Sequence, residues 1–162
     1  ALGQFHTTKN GRAYDQRIHA VNFALNNDDG AITKNYETAD LILVGVSRSG
    51  KTPTCLFLGL QHSVLAANYP LTDDDLHSDL LPKILAKYKD KLYGLTIDPH
   101  QLQRIRQERR PDRRYSSLEQ CKMEVKLAEG LFKHYNIPYL ETTSMSIEEI
   151  SARLIQHIKR VA

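Results

Sequence analysis

The residues with the most evident chemistry are Gly45-Val46-Ser47-Arg48-Ser49-Gly50-Lys51-Thr52. They match G-x-x-x-x-G-K-[ST] at every defined position. In that pattern the glycines let the backbone curl so that successive N–H groups point into one cavity. These donors bind phosphate oxygens together with the positive end of the helix that follows. Lys51 reaches the terminal phosphates as a mobile point charge. Thr52 offers a hydroxyl to Mg²⁺, which bridges the phosphates and neutralises charge that develops during transfer. The expectation is a phosphate cradle formed by Gly45, Val46, Ser47, Arg48, Ser49, Gly50, Lys51 and Thr52, with Lys51 also catalytic. The competing reading is a glycine-rich surface turn. It does not account for a buried strand before the motif and a helix after it.

Carboxylates and arginines supply further candidates. Asp73-Asp74-Asp75 lies just past a second apolar run, where open α/β folds place ligands. Asp74 and Asp75 are the catalytic candidates, as a metal ligand through water or as the acceptor of a hydroxyl proton. The alternative is a solvated acidic helix start, stabilised by the helix dipole. Asp28-Asp29-Gly30 reads as a turn and Asp98 as a helix cap. Residues 104–114 hold six arginines, which could clamp phosphates, dock an acidic partner surface or form a solvated helix face; one or two are expected to contact phosphate, with Arg106 and Arg109 ahead of the others. The seven histidines show no metal-ligand spacing, and Cys55 and Cys121 read as two reduced thiols.

The elements that must position these residues alternate strand and helix. Residues 41–46 form an apolar run without alternation, as in a strand buried on both faces of a parallel sheet. A helix is expected from Lys51 to His62, with Leu56, Leu58, Gly59 and Leu60 packed. Further strands are expected at 64–71, 92–97 and 137–142. Further helices are expected at 14–26, 80–91, from Asp98 to near Pro111, from Ser116 to about Tyr135, and at 147–160. Ser116 with Glu119, Ser117 with Gln120, and Ser146 with Glu149 have capping-box spacing. Residues 1–11 read as a polar arm. The expected fold is α/β, a P-loop NTPase-like three-layer arrangement with a mostly parallel sheet.

Composition sets outer limits. At 162 residues, 41% hydrophobic and 25% charged, the sequence suits one globular domain. No apolar run approaches the ~20 residues of a membrane-spanning helix, and nothing reads as a secretory leader, so a cytoplasmic location is expected. A net charge of +3 does not by itself imply nucleic acid.

The stretch 40–54, Asp-Leu-Ile-Leu-Val-Gly-Val-Ser-Arg-Ser-Gly-Lys-Thr-Pro-Thr, resembles the phosphate loop of the bacterial phosphoenolpyruvate synthase regulatory proteins. These are related to the plant regulators of pyruvate, phosphate dikinase. Tyr14-Asp15, Arg17-Ile18, Asp28-Asp29-Gly30, Ala67-Asn68-Tyr69-Pro70, Gly94-Leu95-Thr96-Ile97, Ile105 through Arg109 and Ser146 through Glu149 extend the likeness. It runs from about residue 12 to 158 and implies a bifunctional serine/threonine kinase and pyrophosphorylase. Such an enzyme uses ADP to phosphorylate a threonine of its target and removes that phosphate with inorganic phosphate, releasing pyrophosphate. Gly45 through Thr52 would be the ADP site, with Mg²⁺ at Thr52 and phosphoenolpyruvate synthase as protein partner.

Members of that family are longer. The chain opens Ala1-Leu2-Gly3, so residues 1–30 are read as a linker, arm and helix ending a missing N-terminal domain, and 31–162 as the P-loop kinase-like domain. A dikinase target, an ATP-dependent small-molecule P-loop kinase and a non-enzymatic nucleotide or nucleic-acid module remain as alternatives. A homodimer is left open.

Overall fold

The computed structural model describes residues 7–27, 35–109 and 113–161. The expected turn at 28–30, the arm before residue 7, and Arg110 and Pro111 lie outside them. Leu41–Gly45 (β1) is buried at every position, as its unbroken apolar run requires. It pairs in parallel with Ala66–Pro70 (β2) on one side and Leu92–Thr96 (β3) on the other; β3 pairs in parallel with Tyr139–Glu141 (β4). The sheet order is β2-β1-β3-β4. Parallel pairing leaves no room for hairpins, so helices connect the strands and cover both faces.

Those helices are Thr7–Asn26 (α1), Lys51–His62 (α2), Asp73–Ser78 (α3), Lys83–Ala86 (α4), Pro99–Arg109 (α5), Leu118–His134 (α6) and Ile147–Val161 (α7). Alternate residues of β1 serve two cores. Ile42 and Val44 pack with Leu102, Val125 and Phe132 on one face. Leu41 and Leu43 pack with Leu58, Ile150 and Leu154 on the other. The result is the three-layer α/β fold expected from the strand–helix alternation. No helix of the described residues is long and apolar enough to cross a membrane.

The connection from β1 leads to β2 on one flank. The connection from β2 then crosses back to β3 on the opposite flank. Strand order therefore reverses at β1, and a crevice opens beyond its carboxyl end. The phosphate-loop motif begins there.

Three local differences from the sequence reading have physical causes. First, α1 begins at Thr7, inside the stretch read as a polar arm. Its buried face is Ala20, Phe23 and Ala24, while Ile18 and Leu25 are exposed. Small residues let α1 approach α2 closely, since a Cβ on Gly59 would stand 3.0 Å from the Ala20 carbonyl carbon. Leu60 points outward on α2. Second, the expected helix at 80–91 is one turn, Lys83–Ala86, followed by a 3₁₀ turn at Lys89–Lys91. Of its apolar residues only Leu85 is fully buried, and the chain must turn at Tyr88 to enter β3. Third, the acidic segment after β2, expected either as a catalytic cluster or as a solvated helix start, forms the short helix α3. Thr72 caps it in a reciprocal capping box with Asp75.

Other expected signals hold. Ser117 accepts from the Gln120 amide at 3.1 Å and caps α6, so of the two overlapping box patterns the second is used. Ser146 accepts from the Glu149 amide at 3.1 Å and caps α7. Asp98 Oδ2 accepts from the His100 and Gln101 amides at 3.0 and 3.2 Å at the start of α5. Both cysteines are buried, reduced and separate.

Candidate functional site

The segment 45–52 leaves β1 and enters α2 without a spacer. Gly45 is required by packing, because a Cβ there would stand 2.6 Å from the Leu95 carbonyl oxygen and 2.8 Å from Ser49 Oγ. Gly50 is required by backbone conformation: it caps α2 with φ at 98°. Arg48, at the tip of the loop, also lies in the left-handed region with φ at 71°. A non-glycine residue there costs roughly 1–2 kcal/mol. The curl is therefore built into a rigid strand-to-helix junction.

Lys51 is the first residue of α2 and is only 6% exposed. Its ammonium turns back into the loop and donates to the Val46 carbonyl at 2.6 Å and to Ser49 Oγ at 3.4 Å. Ser49 Oγ donates to the same carbonyl at 2.8 Å. The lysine charge is thus held inside the concavity. A cleft of about 240 Å³ runs along this edge and is lined by Arg48, Gly50, Lys51, Thr52, Ile105 and Arg109. An ammonium, a hydroxyl and two guanidinium groups share it. That donor set would suit a polyphosphate, and Thr52 is the residue that could hold its magnesium ion.

Toward β3 and β4 the cleft continues into an apolar recess of about 270 Å³. Its walls include Pro53, Ile97, Ile105, Met145, Ile147 and Ile150, with Gln101, Thr142 and Thr143 as polar groups. This recess depends on the loop between β4 and α7, which lies about 90 residues from the motif. Nothing in the sequence reading pointed to it.

The two arginines expected at phosphate have different settings. Arg109 lines the cleft beside Lys51 and Thr52. Arg106 has no exposed surface and lies behind the loop. Its Nη1 and Nη2 donate to the two Glu124 carboxylate oxygens at 3.0 and 2.8 Å. Nη2 also donates to the Ser47 carbonyl at 3.1 Å, and Nη1 to the Tyr115 carbonyl at 3.0 Å. The guanidinium stacks 4.3 Å from the centre of the Tyr115 ring. Burial pulls its pKa down, but the Glu124 hydrogen bonds and charge outweigh that and the net shift is upward. Arg106 therefore braces the phosphate loop from beneath, because its hydrogen-bonding fork is already engaged by protein.

The acidic segment divides similarly. Asp75 Oδ2 accepts from the Thr72 amide at 3.1 Å and from the Tyr69 hydroxyl at 3.0 Å. Burial, with the Asp75 hydrogen bond and charge, pushes Tyr69 up to about 12. Asp75 is thus engaged in capping α3. Asp74 is exposed on the same helix. Asp73, which the sequence reading set behind its two neighbours, faces the loop. It borders a second cleft with Ser47, Arg114, Tyr115, Gln120 and Glu124. Ser47 Oγ and the Tyr115 hydroxyl are 2.7 Å apart at its edge. Among the described residues no three His, Cys, Asp or Glu side chains gather as a metal-binding group.

A parallel sheet reversing at β1, with a glycine-framed loop and an inward lysine at the reversal, defines a P-loop-like α/β protein. The chain belongs to the kinase/pyrophosphorylase family, whose model matches residues 1–155. Three relatives carry the provisional name phosphoenolpyruvate synthase regulatory protein. That of Marinobacter nauticus is 56% identical over 155 residues, covering 96% of this chain and 57% of the relative. That of Laribacter hongkongensis is 54% identical over 156 residues, with 96% and 57% covered. That of Chromohalobacter salexigens is 57% identical over 157 residues, with 95% and 57% covered. The chain spans 57% of the length of these relatives.

Proposed function

We propose that this chain is the nucleotide-binding part of a bifunctional enzyme that switches phosphoenolpyruvate synthase off and on in the cytoplasm. In one direction it transfers the β-phosphoryl group of ADP to a threonine of the synthase. In the other it removes that phosphate with inorganic phosphate and releases pyrophosphate. The observation that carries this reading is the inward-facing Lys51 beneath the loop at the sheet reversal, with Thr52 and Arg109 in the same cleft. The family description and the names of the relatives support the regulatory role.

Each part of the site has work to do in this reading. Backbone amides of residues 45–52 hold the β-phosphate, and Lys51 follows the transferring group. Arg109 adds charge at the edge of the cleft. Magnesium held by Thr52 would supply charge neutralisation on the phosphate oxygens. The apolar recess takes the base and sugar, between Ile105 on one side and Met145 and Ile147 on the other. A cradle for the β-phosphate also suits free phosphate, so one loop can serve both directions. Positioning and electrostatic stabilisation are most of what phosphoryl transfer asks of a protein.

Calorimetric titration with ADP and with ATP, each with Mg²⁺, tests the donor assignment. Tighter binding of ADP than of ATP is the expected result. A preference for ATP would shift the reading to a conventional P-loop kinase, and binding of neither would remove the donor assignment. Incubation with phosphoenolpyruvate synthase and β-labelled ADP then tests the target, with label on a threonine as the expected outcome.

A further inference from the structure

The second cleft, lined by Ser47, Asp73, Arg114, Tyr115, Gln120 and Glu124, measures about 300 Å³. It shares no lining residue with the apolar recess or with the Lys51 cleft. The recess is built from the β3 and β4 side of the sheet. The second cleft is built from the β2 side, by α3 and the start of α6. The phosphate loop runs between them. A group transferred across the loop therefore has a donor flank and an opposite flank, and the opposite flank offers carboxylate, guanidinium and hydroxyl groups beside Leu71.

We infer that this second cleft is the acceptor subsite. It would take a threonine side chain in the forward reaction and its phosphate monoester in the reverse, with Asp73 as the group that exchanges the hydroxyl proton. The inference rests on the function proposed above and names residues for its acceptor side.

Three features single out Asp73. First, its side chain is 49% exposed at the cleft, whereas Asp75 is committed to Thr72 and Tyr69 and Asp74 borders none of the three clefts. Second, it is tied to the loop through a continuous hydrogen-bonded chain. Gln120 Nε2 donates to Asp73 Oδ1 at 3.3 Å and to Glu124 Oε2 at 2.9 Å. Glu124 grips Arg106, and Arg106 holds the Ser47 carbonyl. A base must be held within hydrogen-bond reach of the hydroxyl whose proton it takes, and this run of hydrogen bonds fixes Asp73 relative to the loop. Third, Arg114 Nη2 lies 3.7 Å from Asp73 Oδ2, with 80% of its side chain exposed. A guanidinium beside the carboxylate is placed to take the oxygens of a phosphate monoester.

The chemistry balances in both directions. In the forward direction the threonine oxygen bonds to the β-phosphorus of ADP, and the bond from that phosphorus to the bridging oxygen breaks. AMP departs with that electron pair, and the hydroxyl proton passes to the Asp73 carboxylate. In reverse, an oxygen of inorganic phosphate bonds to the phosphothreonine phosphorus, and the bond to the threonine oxygen breaks. Protonated Asp73 returns a proton to that oxygen, and pyrophosphate departs.

The test is amide NMR of the full 162-residue chain, titrated separately with N-acetyl-phosphothreonine amide and with Mg·ADP. Phosphothreonine is expected to shift the amides of Asp73, Tyr115 and Gln120, and ADP those of Thr143, Met145 and Ile147. Phosphothreonine shifts confined to the Met145 recess, or no saturable shift, would overturn the subsite. Absence of ADP shifts with phosphothreonine shifts intact would sink the donor assignment and leave the subsite standing. In transfer from ADP to the synthase, Asp73→Asn is expected to slow turnover by roughly 10²–10⁴-fold, the usual worth of a general base. Its ADP affinity should match the parent's. Turnover at the parent's rate would remove Asp73 from the chemistry.

Discussion

At the scale of single residues, one motif carries two kinds of information. Lys51 was legible in the sequence because its spacing from Gly45 and Gly50 has a chemical meaning. Its contacts add that the ammonium stabilises its own loop through the Val46 carbonyl. Lys51→Ala should therefore lower phosphoryl transfer by about 10²–10³-fold, comparable to loss of one preorganised charge-stabilising donor. Its urea midpoint should fall only slightly, because the Val46 carbonyl keeps the Ser49 hydroxyl as a donor and no core volume is lost. Transfer at the parent rate would exclude the lysine. Arg106 was singled out in the sequence as a phosphate contact, whereas its role as a brace was not legible there. Its partner Glu124 sits 18 residues away on another helix, and no local pattern links them. Removing one member of a buried, hydrogen-bonded pair costs about 3–5 kcal/mol. Glu124→Leu should lower stability by that order in urea unfolding and loosen nucleotide binding, whereas Arg109→Leu should weaken nucleotide binding with stability intact. An unchanged midpoint for Glu124→Leu would contradict the brace.

At the scale of elements, the strands and the long helices followed from composition and caps. β1 announced itself by an apolar run, and α6 and α7 by serine caps three residues before their matched amides. Ser117→Ala should cost about 1 kcal/mol by thermal or urea unfolding, and a loss near zero would show that α6 is held by packing alone. Short elements were less legible. Three successive aspartates differ by about 100° each around a helix, so only the docking of α3 decides which one meets the loop. Tyr69 gives this region a pH signature. Its pKa is raised in the folded state, to about 12 from 10.0. The stability it contributes is thus complete below pH 10 and lost as pH climbs toward 12. Unfolding midpoints should fall across that window, and Tyr69→Phe should flatten the decline. An identical slope in the variant would assign the alkaline loss elsewhere.

At the scale of the whole molecule, the layer architecture was foreseeable and the clefts were not. A cleft needs several elements at once: the apolar recess draws on α2, α5 and the β4–α7 loop, and the second one on the loop after β1, α3, the α5–α6 loop and α6. Sequence periodicity reports how each element meets the core, but not which loop ends meet beyond the sheet. The parallel ladders have a further consequence, in the order of assembly. β1 pairs with β2 and then β3, and each pairing closes a loop of some twenty to fifty residues rather than a tight turn. Long-range closures of that kind slow folding. The loop's brace comes later still, because Glu124 lies in α6, well beyond β3. A nascent chain emerging from the ribosome therefore exposes its complete phosphate-binding signature before the strut beneath it exists. Ligand affinity in this protein should arrive in a single late step of synthesis.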